Sequence, residues 1–205
     1  MASVHDDNGR PDPYSDMMLN AATPVPDFTT SRLRLRRLAI EDARAMHEAY
    51  GDASAMTYWD APPTRDLAET EQRIRRSVAV DPRWHAAWAV TAGTDGRFIG
   101  MTNYHGRDPG HRRLAVGWIL IPAFWGHGYM REAMAVLLNH CFEELNTHRI
   151  EAEIEPGNTR SARLAERLGF AREGLLRDRL FVAGQPRSVY SYALLRSAWN
   201  PGALP

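Results

Sequence analysis

The spacing of apolar and polar positions sets out the elements before any chemistry is considered. Over residues 31–38, Leu33, Leu35 and Leu38 stand among Arg34, Arg36 and Arg37, mostly with the period of a strand. Residues 41–50 change to helical spacing, with Ala43, Met46, His47 and Tyr50 on one face. Residues 66–80 predict a second helix with Asp66 as its N-cap. Residues 85–92 and 98–105 read as strands joined by Gly93-Thr-Asp-Gly96, a hairpin signal, and 113–120 as a further strand ended by Pro122. A helix over 129–145 carries Met130, Met134, Leu137, Leu138, Cys141 and Leu145 as one apolar stripe. Residues 149–155 form a strand stopped by Pro156-Gly157. Asn158 or Thr159 then caps a helix closing at Leu168-Gly169, where glycine suits the left-handed position past a helix end. Strands over 172–182 and 187–195, separated by Gly184-Gln-Pro186, pair antiparallel. The order β-α-α-β-β-β-α-β-α-β-β is that of a mixed α/β domain with no sharp internal boundary.

Composition narrows the chemistry. The 205 residues suit one domain with a tail, because a single core serves roughly 100–200 residues. Residues 1–27, rich in Asp, Pro, Asn, Ser and Ala, read as a flexible extension with a short helix at 16–20, and 200–205 as a tail. The start lacks the layout of a secretory signal and no apolar run reaches ~18 residues, so no membrane span is expected. The 25 cations balance 25 carboxylates, which gives no electrostatic footprint for nucleic acid or a membrane surface. Every cation is arginine. Without lysine, Schiff-base chemistry, pyridoxal phosphate attachment and a P-loop lysine are excluded. Cys141 is the single cysteine, so neither an intramolecular disulfide nor a cysteine-rich zinc cluster can form. No metal is expected, and a cytoplasmic location fits.

The stretch from Pro122 to Ala133 brings in chemistry. Gly126-His-Gly128 lies between a strand and a helix N-terminus, where free N–H groups and the helix dipole favour an anion and glycine permits close approach. A pyrophosphate suits such a turn. A dinucleotide fingerprint would need a third glycine that is missing, and a Walker loop would need lysine.

Asn158-Thr-Arg-Ser161 opens the next helix and Leu164-Ala-Glu-Arg-Leu-Gly-Phe170 closes it. With Trp125-Gly-His-Gly-Tyr-Met130 this resembles the GNAT superfamily of acetyl-CoA-dependent N-acetyltransferases. Trp125, Gly128 and Met130 fall at the three positions of that family's Gln/Arg-x-x-Gly-x-Gly/Ala loop, and the first and last depart from it. The Trp-Gly-x-Gly-Tyr form followed by Glu132-Ala133 is similar to the RimJ/RimL branch of ribosomal-protein N-terminal acetyltransferases. Thr30-Ser-Arg-Leu-Arg-Leu-Arg, Glu173-Gly-Leu-Leu-Arg177 and Tyr192-Ala-Leu-Leu with Trp199 agree with it. The resemblance covers residues 28–199. It implies a GNAT fold, a mixed, mostly antiparallel twisted sheet with a central splayed strand pair and flanking helices.

The same resemblance implies roles. The backbone of Trp118, Ile119 and Leu120 would hold the pantetheine and the oxyanion, and Trp125, Gly126, His127, Gly128, Tyr129 and Met130 the pyrophosphate. Asn158 would bond the pantetheine amide and Ser161 would protonate the departing thiolate. As plain sequence, Asn158 and Ser161 also read as helix-capping residues. Relatives often carry a glutamate just before the glycine of the central strand, and Leu114-Ala-Val-Gly117 has Ala115 instead. Glu153 is then the expected base, with His105, His111 or ordered water as alternatives, although Glu151, Glu153 and Glu155 also read as one polar strand face. Trp59, Asp60, Tyr104 and His105 are candidates for the acceptor pocket, and Cys141 for the core. The implied activity is direct acetyl transfer from acetyl-CoA to a primary amine, a protein N-terminus or a small molecule, by a monomer or homodimer. A non-catalytic acyl-CoA-binding module of the same fold is the rival.

Overall fold

The computed structural model describes residues 25–200. The helix expected at 16–20 and the tail beyond Asn200 lie outside them. The strands are β1 (Phe28–Thr29), β2 (Leu33–Arg37), β3 (Ala86–Ala92), β4 (Arg97–Asp108), β5 (Arg113–Leu120), β6 (Arg149–Ile154), β7 (Ala171–Val182) and β8 (Gln185–Leu195). The α-helices are α1 (Ala43–Tyr50), α2 (Ala53–Met56), α3 (Leu67–Val78), α4 (Tyr129–Glu143) and α5 (Thr159–Arg167). One sheet runs in the order β1-β2-β3-β4-β5-β6-β8-β7, and every neighbouring pair is antiparallel except β5 with β6.

Sequence chemistry accounts for the element ends. Asp66 caps α3 by accepting from the Glu69 amide. Asn158 caps α5 by accepting from the Ser161 amide, and Gly169 follows that helix at φ 92°. β1 and α2 carry too few residues to show a period. α2 is nevertheless capped by Asp52, which accepts from the Ala55 amide. The last hairpin is tighter than the sequence suggests. Gln185 and Pro186 belong to β8, and the turn is Ala183-Gly184 at φ 50° and 76°, the sign pattern of a type I′ turn. Pro186 is tolerated because β6 ends at Ile154, opposite Tyr190, so that end of β8 has no strand on its other side.

The two sheet faces bury different helices. Trp88, Val90, Tyr104, Leu114, Val116, Leu120, Ile150 and Ile154 pack with the α4 stripe and with Ala165 and Leu168. Ala87, Ala89, Met101, Ile119 and Ile121 pack on the other side with Ala43, Met46 and Ile74. The α4 stripe from Met130 to Cys141 is buried as the period demands, Phe142 and His140 join it, and Leu145 falls past the helix end, partly buried.

β4 and β5 approach closely at Gly100, which pairs with Leu120. A Cβ there would stand 2.3 Å from Ile119 O and 2.9 Å from Leu120 Cα. Both contacts are backbone, so neither can swing away. Gly100→Ala should therefore cost about 1–3 kcal/mol or more of stability, as overpacking does. The check is the urea midpoint at unchanged m; an unshifted midpoint would contradict this close contact.

Candidate active site

β5 and β6 run parallel but pair only at Arg113–Arg149, Leu114–Ile150 and Ala115–Glu151. β5 then continues to Leu120 and β6 to Ile154 without meeting. From Val116 onward the facing edges carry peptide groups that no neighbouring strand satisfies. This is the splayed pair that the sequence implied.

At the far end of β5 the chain passes a short 3-10 turn (Pro122–Phe124) and enters the glycine turn. Gly126 and Gly128 sit at φ 83° and 77°, which is why glycine stands there. A Cβ on Gly126 would meet nothing within 4 Å, so the turn is open on that side. Gly128 is the N-cap of α4, and the first amide to find an acceptor is that of Glu132, 3.2 Å from Gly128 O. The preceding amides stay free at the positive end of a 15-residue helix.

Side chains fix this turn from three directions. The Trp125 indole donates to Leu120 O at 2.9 Å and locks the turn to the end of β5. The Arg160 guanidinium, one residue before Ser161 in α5, stacks over the Trp125 ring at 4.5 Å. From the bend before β2, Arg32 donates to His127 O at 3.0 Å, lies over the Tyr129 ring at 4.8 Å, and pairs with Glu132 at 2.6 Å. Thr30 and Ser31 donate to the same carboxylate. Burial pushes Glu132 upward, but the hydrogen bonds from Thr30 and Arg32 outweigh it and hold the carboxyl below the usual range. Arg32 and Thr30 stood in the sequence as part of a motif; their contact with the turn spans about a hundred residues and has no local signal.

The splay is bridged at one point. The Trp118 indole N–H donates to Ser161 Oγ at 3.3 Å. Indole is a donor only, so the Ser161 oxygen accepts and its own proton is left to give elsewhere. Trp118 and Ser161 therefore meet across the splay, and Asn158 caps the helix that carries Ser161.

The opposite sheet face presents different chemistry. By strand alternation Asn103 and His105 of β4 and Ala115 and Gly117 of β5 share the face of Met101 and Ile119. Tyr104 does not join them. It points to the other side, packs on Trp88 at 5.7 Å and donates to Pro82 O, so it is a core residue and not part of an acceptor wall. Trp59 packs on Tyr50 at 6.0 Å. His111 lies in the turn before β5, bonded to Asp108 at 2.9 Å, remote from the glycine turn. Glu153 is paired with Arg179 at 3.0 Å, and its strand neighbours Glu151 and Glu155 with Arg149 at 2.7 Å and Arg187 at 2.9 Å. A concavity of about 620 Å³ lies along the outer side of α4 by Phe28, Asn139 and Trp199 and reaches Thr30, Ser31 and Glu132 of the clamp, with none of residues 125–130 in its lining. Among the described residues no helix is long and apolar enough to cross a membrane.

Comparison with known proteins agrees with this fold. The family model for an acetyltransferase (GNAT) domain matches residues 32–171. The "Uncharacterized N-acetyltransferase p20" of Bacillus licheniformis is 31% identical over 82% of this chain and 94% of its own length. "Putative ribosomal N-acetyltransferase YdaF" of Bacillus subtilis is 33% identical over 58% of this chain and 68% of its own. The crystal structure of spermidine N-acetyltransferase from Vibrio cholerae in complex with CoA and spermine superimposes with a TM-score of 0.71. It shares 25% identity and covers 82% of this chain and 98% of that one.

The Glu132 clamp has a pH signature. Its folded pKa lies below the unfolded value, so its stabilisation is present above that value, about 4.3, and is lost as pH falls through the folded one. Wild type should exceed Glu132→Gln in stability by a constant margin above about pH 5, shrinking below about pH 4. Arg32 is half-exposed, so solvent screens part of the effect. Denaturation across this range is the check, and a difference independent of pH would contradict the clamp.

Proposed function

Because this chain belongs to the GNAT acetyltransferase family, we propose that it transfers the acetyl group of acetyl-CoA directly to a primary amine. The observation that carries this reading is the Trp118–Ser161 bridge across the splay, at 3.3 Å, beside an open glycine turn. Free amides at the start of α4 offer the pyrophosphate what it needs, and Arg160 on Trp125 adds a cation beside a turn that has no lysine. The unpaired edges from Val116 and from Ala152 onward can bond the pantetheine amides in the manner of an added strand, and the backbone of Trp118, Ile119 and Leu120 can serve the oxyanion. Asn158 spends its carbonyl oxygen on the Ser161 amide, which leaves its amide N–H groups for the pantetheine.

Acetyl transfer moves one proton off the amine and puts one on sulfur. Ser161 is the donor to the thiolate, since its oxygen already accepts from Trp118. A module that merely bound acyl-CoA would have no use for a serine hydroxyl left free to donate beside the splay. The sole cysteine, Cys141, is fully buried and its thiol is pushed up by burial, so no covalent acetyl-cysteine intermediate forms there.

Relatives bear names that point to spermidine and to ribosomal proteins. For this chain the acceptor is a primary amine, on a protein N-terminus or a small molecule. Glu153 and Glu155 are each paired with an arginine, and Arg149 is shared between Glu151 and Glu173.

Two substitutions test this reading. Gly128→Val forces a branched residue to φ 77° and crowds the turn, so acetyl-CoA should bind more than tenfold more weakly, about 1.4 kcal/mol. Ser161→Ala should lower kcat by about 10²-fold while acetyl-CoA affinity stays within a few-fold. Thiol release against a panel of amines, with binding measured separately, reads both. A folded Gly128→Val chain with unchanged affinity, or Ser161→Ala with normal kcat, would contradict it.

A further inference from the structure

We infer that His105 is the general base that takes the proton from the acceptor amine, with Asn103 as its positioning residue. The inference rests on the acetyl-transfer reading above. His105 pairs with Ala115 across the β4–β5 ladder, and Ala115 pairs with Glu151 on β6, the last rung before the splay opens. Directly opposed residues share a sheet face, and Ala115 presents only a methyl group, so the imidazole has room over the start of the gap. The ladder loses register immediately after His105, as strands do where a side chain is re-aimed.

The tautomer follows from the neighbour. His105 Nδ1 lies 3.2 Å from Asn103 Oδ1, and a carbonyl oxygen can only accept, so Nδ1 carries the proton and Nε2 keeps its lone pair. No partner for Nε2 exists among the described residues. Asn103 is buried, and Gly117 opposite it leaves the space, since a Cβ there would come within 3.0 Å of Asn103 Oδ1.

Charged groups approach from each side. Asp60 follows α2, Glu153 lies on β6, and His85 precedes β3 with its ring bonded to Ser77 at 2.7 Å. His105 keeps solvent-accessible surface, yet the protein packed around it lowers its pKa, an effect that the Asp60 and Glu153 carboxylates oppose. The ring is therefore neutral at pH 7 and able to receive a proton. His85 is lowered further, to about 4, and its ring faces Ser77. Glu153, the base expected from sequence, is engaged with Arg179.

The proton count closes. An arriving ammonium gives one proton to Nε2, and the imidazolium passes it to solvent. The amine lone pair forms the C–N bond and the C–S bond breaks with its pair going to sulfur. Ser161 protonates that sulfur and is reprotonated, through solvent, by the second proton leaving nitrogen.

The test is kcat/KM against pH from about 5 to 9 for wild type, His105→Gln, His105→Ala and Glu153→Gln, with acetyl-CoA affinity measured for each. His105→Gln should lose about 10²-fold or more at neutral pH and lose the acid limb, with acetyl-CoA affinity within a few-fold. Added imidazole should restore part of the rate of His105→Ala, a rescue that a structural role would not give. Asn103→Ala should lower kcat less and shift the acid limb. A folded His105→Gln chain that keeps its acid limb, or Glu153→Gln that alone abolishes it, overturns the assignment. Failure of wild type to acetylate any amine removes the acetyl-transfer reading itself; an active wild type with an unaltered His105→Gln profile removes only the base.

Discussion

The parallel pairing of β5 with β6 stops after Ala115–Glu151, and the site depends on that interruption. Two strands that kept their hydrogen bonds would close the gap. By parting, they leave backbone donors and acceptors that only water or a ligand with amide groups can satisfy. β6 holds its course because it remains paired with β8 along its whole length, and β5 because it remains paired with β4. Side chains at the open edges then add the specific chemistry: Trp118 and Ser161 meet across the gap, while Ala115 and His105 lie where it begins.

Charge is distributed to serve the same opening. Every cation in the chain is arginine. Arg179 and Arg187 pair with Glu153 and Glu155, Arg149 is shared between Glu151 and Glu173, and Arg32 fixes Glu132 against the glycine turn. Arg160 is stacked on Trp125 instead. A planar guanidinium suits each of these tasks, since it can pair in a fork with a carboxylate or lie flat on an indole.

Much of this was legible in the sequence because the signals were local. The Gly126-His-Gly128 turn, the Asn158 cap, Gly169 after α5 and the stripe on α4 each show themselves within a few residues, and they give the fold. Contacts between distant segments stayed hidden. The alternation of β4 assigns Tyr104 to one face and His105 to the other, but which face meets the gap depends on the helices that cover the sheet. The pairing of Glu153 with Arg179 requires the β7–β8 hairpin to fold back beside β6, which no spacing reveals. The sequence separates the last two strands at Gly184-Gln-Pro186, whereas Gln185 and Pro186 belong to β8 and the turn is Ala183-Gly184, because Pro186 lies at an end of β8 that has no strand on its other side.

A crystal structure of the chain with CoA tests the central claim most directly. The diphosphate oxygens should lie within about 3 Å of the free amides from Gly126 to Arg131. The pantetheine should run between residues 116–120 and 152–154, with its sulfur beside Ser161. CoA bound in the concavity along α4, or a gap closed by renewed β5–β6 pairing while CoA sits elsewhere, would contradict the account.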